Sequence, residues 1–120
     1  MATVLIVEDS PTQQETIKRI VEKMGHSVVC ADNGADALVI AKETKPRLIL
    51  MDVVMPISNG FQATRALKKD TETHHIPVIM ITTKNEEVDR AWGMRQGAEA
   101  YLVKPFSEKE LVALVEKALN

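Results

Sequence analysis

Five short apolar runs punctuate the chain: Thr3–Val7, Ser27–Ala31, Leu48–Met51, Val78–Ile81 and Ala100–Val103. None alternates cleanly between apolar and polar positions. Continuous apolar runs of this length fit parallel strands buried on both faces. The segments between them carry apolar positions at helical spacing. The first is the best marked. Ser10 suits an N-cap, Pro11 the first helical position, and Gln13 the far end of a capping box. Ile17, Ile20, Val21 and Met24 then form a stripe, and Gly25 supplies a stop. The second helix is predicted over Ala35–Glu43, ahead of Pro46. The third begins near Gly60 and turns Phe61, Thr64 and Leu67 inward. The fourth runs from about Asn85 to Gln96, with Gly97 as its stop. The fifth opens on the capping pair Ser107 and Glu110 and presents Leu111, Leu114, Val115 and Ala118.

Strand and helix thus alternate five times. This predicts an α/β domain with one parallel five-stranded sheet, helices on both faces and right-handed crossovers. Strand orders 3-2-1-4-5 and 2-1-3-4-5 both satisfy these rules, and periodicity does not choose between them. In either order the C-terminal ends of the strands face one crevice, where ligands bind.

Bulk properties narrow the picture. A chain of 120 residues suits a single domain spanning 1–120. Its 15 basic and 17 acidic side chains give a net charge of −2, which attracts neither nucleic acid nor an anionic membrane. Cys30 is the only cysteine, so no internal disulfide is possible; it is expected to be a small buried side chain. No secretion signal or long apolar stretch is evident, so membrane insertion is not expected and the cytoplasm is the expected compartment. The chain ends with its last helix, so no output domain is expected.

Four pieces of chemistry sit at the expected strand ends. Glu8 and Asp9 follow the first run, Asp52 the third, Thr82 the fourth, and Lys104-Pro105 the fifth. Three carboxylates brought to one crevice repel one another, and a hard divalent cation relieves that repulsion. Mg²⁺ prefers oxygen ligands and is commonly held by one or two carboxylates plus phosphate oxygens. Phosphoryl transfer rests on positioning and charge neutralisation. In that chemistry Asp52 is the nucleophile, forming an acyl phosphate. Asp9, more directly than Glu8, holds Mg²⁺ together with Asp52, and the Val54 carbonyl is a possible backbone ligand. Thr82 and Lys104 orient the phosphoryl oxygens. Each residue taken singly has a plainer reading: Glu8 and Asp9 as acids at a helix start, Thr82 as a cap residue, Lys104 as a surface lysine.

Together the motifs VLIVEDS, LILMDVVMP, NGF, VIMITT and GAEAYLVKPF make the chain resemble the receiver domain of bacterial two-component response regulators. The resemblance extends over essentially all of the chain. It implies the flavodoxin-like (βα)5 three-layer sandwich with strand order 2-1-3-4-5. It also implies a phosphoryl group taken from a histidine kinase with Mg²⁺. By matching positions, Asp52 resembles the phosphoacceptor, Glu8 and Asp9 the acid pair, Thr82 the switch hydroxyl, Tyr101 the switch aromatic and Lys104 the family lysine. Lys104-Pro105 resembles a bond that is commonly cis. Thr82 and Tyr101 are implied to move inward on phosphorylation and to alter the face made by the fourth helix, fifth strand and fifth helix, where a downstream protein partner binds. The segments Asn59–Arg65, Thr82–Lys84 and Trp92–Gly97 narrow the likeness to stand-alone regulators of type IV pilus systems, the PilH kind. That subgroup implies a CheA-like kinase as phosphodonor and a role in twitching motility, phototaxis or another chemotaxis-like pathway. The expected assembly is a monomer or weak dimer.

The acid pair is Glu-Asp rather than the commoner Asp-Asp. Position 54, two after Asp52, is valine, where an Asp-nucleophile phosphohydrolase usually places its acid/base. That argues against sustained turnover, so the chain is expected not to act as an enzyme beyond slow self-dephosphorylation. A receiver acting unphosphorylated as a scaffold is a further alternative. A flavodoxin-like cofactor binder lacks its phosphate-cradling loop after the first strand. The adjacent pair His74-His75 fits a solvated loop better than a metal site, and His26 is expected to be exposed. Trp92 could serve equally in a partner surface or in packing on its own domain.

Overall fold

The computed structural model describes residues 1–120. Strands β1 (Thr3–Val7), β2 (Ser27–Ala31), β3 (Leu48–Met51), β4 (Val78–Thr82) and β5 (Ala100–Val103) alternate with five helices. These are α1 (Pro11–Lys23), α2 (Gly34–Thr44), α3 (Gly60–Lys69), α4 (Glu87–Gln96) and α5 (Glu108–Leu119). Every strand pair is parallel and the order is β2-β1-β3-β4-β5. Of the two predicted orders the chain adopts 2-1-3-4-5, the flavodoxin-like arrangement.

Successive side chains of a strand point to opposite faces, and both faces are covered. Val4, Ile6, Leu48, Leu50, Ile79 and Ile81 pack on Ile17, Ile20 and Val21 of α1 and on Leu111 and Val115 of α5. Leu5, Val7, Ile49, Met51 and Val78 pack on Ala37 and Ala41 of α2 and on Ala63 and Leu67 of α3. A smaller group of Val53, Met80, Ala98 and Tyr101, with Phe61 at its margin, fills the space toward α4. Two covered faces explain why the strands read as unbroken apolar runs.

Several local expectations are adjusted. Ser10 accepts a hydrogen bond from the Gln13 N–H, as an N-cap should, but the Gln13 side chain points elsewhere and leaves the box open. Asn59 with Gln62, and Ser107 with Glu110, close full capping boxes. α4 starts at Glu87 rather than Asn85, because the Asp89 carboxylate accepts from the Glu86 N–H and fixes the first turn there. Cys30 is only half-buried, since β2 is an edge strand with one neighbour. His26 is half-buried rather than exposed, and its Nδ1 accepts from the Ala2 N–H at 3.1 Å.

One close approach sets the start of α3. The Gly60 N–H donates to the Val53 carbonyl at 2.9 Å. A Cβ at position 60 would lie 2.2 Å from the Asp52 carbonyl oxygen and 2.8 Å from Val53 Cα. Backbone cannot yield as a flexible side chain can, so only glycine lets α3 begin this close to Asp52. Gly60→Ala is therefore expected to destabilise the fold by about 1–3 kcal/mol, read as a lower urea midpoint at unchanged slope. An unchanged midpoint would contradict the close approach.

Candidate functional site

The ladder continues one step past the strands and locks the site residues to it. The Glu8 N–H donates to the Ala31 carbonyl at 3.0 Å, the Asp52 N–H to Val7 at 3.0 Å, and the Lys104 N–H to Thr82 at 2.8 Å. Residues that follow β1, β3 and β5 are thereby held at the same, C-terminal end of the strands. Glu8, Asp9 and Asp52 each bring a carboxylate oxygen within 4.8 Å of the others.

Lys104 organises this cluster. Its Nζ donates to Glu8 Oε1 at 2.7 Å and reaches Asp52 Oδ2 at 3.5 Å. The Gln13 side-chain carbonyl accepts from the same ammonium. Glu8 is 2% exposed, and its second oxygen accepts from the Ser10 N–H at 3.1 Å. Its charge is thus matched on both oxygens. Asp52 Oδ1 accepts from the Val54 N–H at 3.3 Å, while Asp9 is exposed. The Glu8 oxygens are held at 2.7 and 3.1 Å, whereas those of Asp52 are held more loosely at 3.3 and 3.5 Å and Asp9 is exposed, so Asp9 and Asp52 carry the open side of the cluster.

The donor set fits a divalent cation. It is made entirely of oxygens, and three carboxylates against one ammonium leave two formal negative charges. A hard cation such as Mg²⁺ matches both features. The Val54 side chain is exposed.

Thr82 is fully buried, and its Oγ1 accepts from the Lys84 N–H at 3.3 Å. Tyr101 donates its hydroxyl to the Lys84 carbonyl at 2.8 Å. Both residues therefore hold the same segment of the β4–α4 loop. The Tyr101 ring lies inward, 7% exposed, beneath α4. A Cβ on Gly93 would sit 3.1 Å from that ring, so the helix backbone lies nearly on it. The Arg90 guanidinium stands 5.3 Å from the ring centroid and donates to the Tyr101 carbonyl at 3.3 Å. Burial, aided by the nearby Asp89 and Asp52 charges, pushes the Tyr101 hydroxyl above its ordinary pKa, against the opposing pull of Arg90. The Lys104-Pro105 peptide is cis.

The structure thus brings together Glu8, Asp9, Asp52 and Lys104 and sets Thr82 and Tyr101 on one loop. His74 and His75 are exposed, before the start of β4 and so at the other end of that strand from the cluster. Gln13, Arg90 and Gly93 were not singled out as site residues. Gln13 carried a capping signal that masked its contact with Lys104. Gly93 entered only as part of the Trp92–Gly97 segment, and Arg90 gave no signal beyond being a helix residue.

The family model for the response regulator receiver domain matches residues 4–116. The chain is 51% identical over 119 residues to protein PilH of Pseudomonas aeruginosa, covering 99% of this chain and 98% of that protein. It spans about half the length of other curated relatives, such as 52% of a phosphate regulon transcriptional regulatory protein of the same organism that is 39% identical. Among solved structures, the chemotaxis protein CheY4 of Vibrio cholerae superposes with a TM-score of 0.93 at 30% identity, covering 99% of each chain. The receiver domain of a sensor histidine kinase of Pseudomonas aeruginosa PAO1, with magnesium coordinated in its active-site cleft, gives 0.91 at 29% identity over 98% of this chain and 97% of that one.

Two predictions rest on this geometry. Lys104→Ala strands Glu8 as a buried charge without its ammonium and should cost about 3 kcal/mol or more in chelator-containing buffer. Adding Glu8→Gln should recover part of that loss, a coupling that a double-mutant cycle in urea measures; strict additivity would deny the pair. Tyr101 is the only tyrosine, so tyrosinate absorbance reports it alone. Its folded-state pKa is raised, so the folded chain keeps a proton that the unfolded chain loses. Its contribution to stability is present below the ordinary value near 10 and is lost as pH rises through the shifted one. Titration at or below the ordinary value would contradict the buried setting.

Proposed function

The chain belongs to the response regulator receiver domain family, with PilH as a relative along its whole length, and from that premise we propose that it is a phosphorylation switch whose phosphoacceptor is Asp52. The observation that carries this reading is the convergence of Glu8, Asp9 and Asp52 within 4.8 Å under one lysine. A histidine kinase of the two-component type supplies the phosphoryl group, a CheA-like kinase on the PilH likeness.

The reaction is an in-line transfer. A carboxylate oxygen of Asp52 attacks the phosphorus of a phosphohistidine. The P–O bond to Asp52 forms as the P–N bond breaks, and the imidazole leaves with its electron pair. Lys104 is held 2.7 Å from Glu8 but only loosely from Asp52 at 3.5 Å. It can turn toward a phosphoryl oxygen without giving up Glu8. Thr82 Oγ1 accepts from the Lys84 N–H, so its own hydrogen is free to be donated to a second phosphoryl oxygen. Asp9 and Asp52, with the Val54 carbonyl and Glu8 behind them, are the groups that would hold Mg²⁺. When bound, the ion supplies charge neutralisation for the transferred group.

Drawing Thr82 toward the phosphoryl group releases the Lys84 N–H, and with it the loop that Tyr101 also holds. The rearrangement reaches the α4-β5-α5 surface, where a downstream protein partner reads it. A coupling of about 1–3 kcal/mol between phosphorylation and partner binding is enough for such a switch. With valine at position 54 no side chain is placed to activate water, so the chain acts as a phosphoacceptor rather than as a hydrolytic enzyme. A chemotaxis-like motility pathway in the cytoplasm follows from the PilH likeness. No helix is long and apolar enough to cross a membrane.

Acetyl phosphate with Mg²⁺ tests the core of this reading by intact mass. Wild type should gain one base-labile phosphoryl group, Asp52→Asn none, and Asp9→Ala much less at equal Mg²⁺. An adduct that persists in Asp52→Asn would move the acceptor elsewhere. No adduct from acetyl phosphate or from a CheA-like kinase would leave a scaffold.

A further inference from the structure

Away from the acid cluster, α3 and α4 enclose a cleft of about 480 Å³ lined by Arg65, Lys68, Lys69, Trp92, Arg95 and Gln96. Four of the chain's 15 basic side chains meet here, and no acidic one lines the cleft. Lys68 is engaged: its ammonium donates to the Ile76 and His74 carbonyls at 2.7 and 3.3 Å. Arg65, Lys69 and Arg95 are exposed, and none has a carboxylate within ion-pair distance. Trp92 stands among them 45% exposed. Elsewhere α4 meets the core through Gly93, against Met80 and Tyr101, and through Arg90 over the Tyr101 ring.

We propose that this α3–α4 cleft is a docking surface for an acidic segment of a protein partner, with an apolar side chain of that segment lying against Trp92. Charge complementarity selects the sign of the occupant. An exposed aromatic ringed by arginines is the composition of an interface centre, where Trp and Arg are the residues most enriched. Small-molecule pockets are lined mainly by apolar groups, whereas five of the six residues here are polar or charged. Nucleic acid is disfavoured by the net charge of −2, which sets the rest of the surface against a long polyanion. The surface is distinct from the α4-β5-α5 face: it uses the side of α4 turned toward α3.

The chain contains one tryptophan, so its emission reads occupancy of this cleft without a label. The probe is a synthetic peptide of about four helical turns, rich in Glu with one Leu per turn, titrated into the unphosphorylated full chain at low salt. Its Gln-for-Glu counterpart and a single-stranded oligonucleotide of equal charge serve as comparisons. The acidic peptide should give a saturable change in Trp92 emission that weakens as salt is raised. Arg65→Glu with Arg95→Glu should weaken binding about tenfold or more, whereas Lys109→Glu with Lys117→Glu, the same charge change on α5, should leave it within about twofold. Arg95→Gln alone should give an intermediate loss and guards against a misfolded double variant. No emission change at millimolar peptide, equal binding by the Gln counterpart, or tighter binding by the oligonucleotide would each overturn the proposal. Because no arm uses phosphate or Mg²⁺, failure here leaves the Asp52 reading untouched, and the reverse holds as well.

Discussion

Lys104 and Glu8 form the pair on which the site's arrangement depends. Three carboxylates at the end of one sheet would push β1 and β3 apart or draw in water. The ammonium of β5 instead crosses behind β4's end and places its proton donors between Glu8 and Asp52. Glu8 is almost wholly buried, so this is not a surface ion pair of negligible weight; its strength comes from low local dielectric and from the second bond that Ser10 supplies. The pair also divides the labour among the acids. By absorbing Glu8, it leaves Asp9 and Asp52 as the open side of the cluster. The longer side chain of Glu8 suits this inner position, reaching the lysine while its backbone stays on the β1 ladder.

A second constraint links that cluster to the far face of α4. Tyr101 and Thr82 hold the Lys84 backbone from its two ends, carbonyl and N–H. Gly93 lets α4 rest on the Tyr101 ring, and Arg90 stands over that ring and ties to its carbonyl. Movement at Thr82 is therefore felt through a loop and a helix rather than through a single contact. Packed interiors yield in steps rather than continuously, so a sub-ångström change at Thr82 can select between discrete positions of the loop.

Much of this was legible in the residues. Parallel strands are buried on both faces, so their apolar runs carry little ambiguity, and the turn residues Gly25, Gly60 and Gly97 mark real helix boundaries. The cluster was legible because each of its members sits directly after a strand, where the ladder dictates its position. What escaped was the chemistry of side chains with two possible partners. Gln13 has the spacing of a capping residue, and only the three-dimensional position of Lys104 reveals the competing bond. Cys30 is less buried than expected because β2 is an edge strand, which the strand order decides and local pattern does not, and His26 is more buried because its ring packs back on the Ala2 backbone it accepts from. Arg90 and Gly93 act through Tyr101, whose inward placement is a tertiary fact.

The basic cleft and the acid cluster are joined through both walls of the cleft. α3 begins at Gly60, pressed against the backbone of Asp52, and carries Arg65 and Lys69 about one and a half and two and a half turns later. α4 carries Trp92 and Arg95 on one side and holds Tyr101 on another. On the proposed switch, a ligand that prefers one spacing of α3 and α4 would bias the loop that Thr82 and Tyr101 share, and phosphorylation would bias the cleft by the same free energy, because linkage is reciprocal. The size of that coupling is bounded by the elements that can move. α3 is pinned by a backbone contact that admits no Cβ, so the adjustable wall is α4. It rests on the core where Gly93 meets Met80 and the Tyr101 ring.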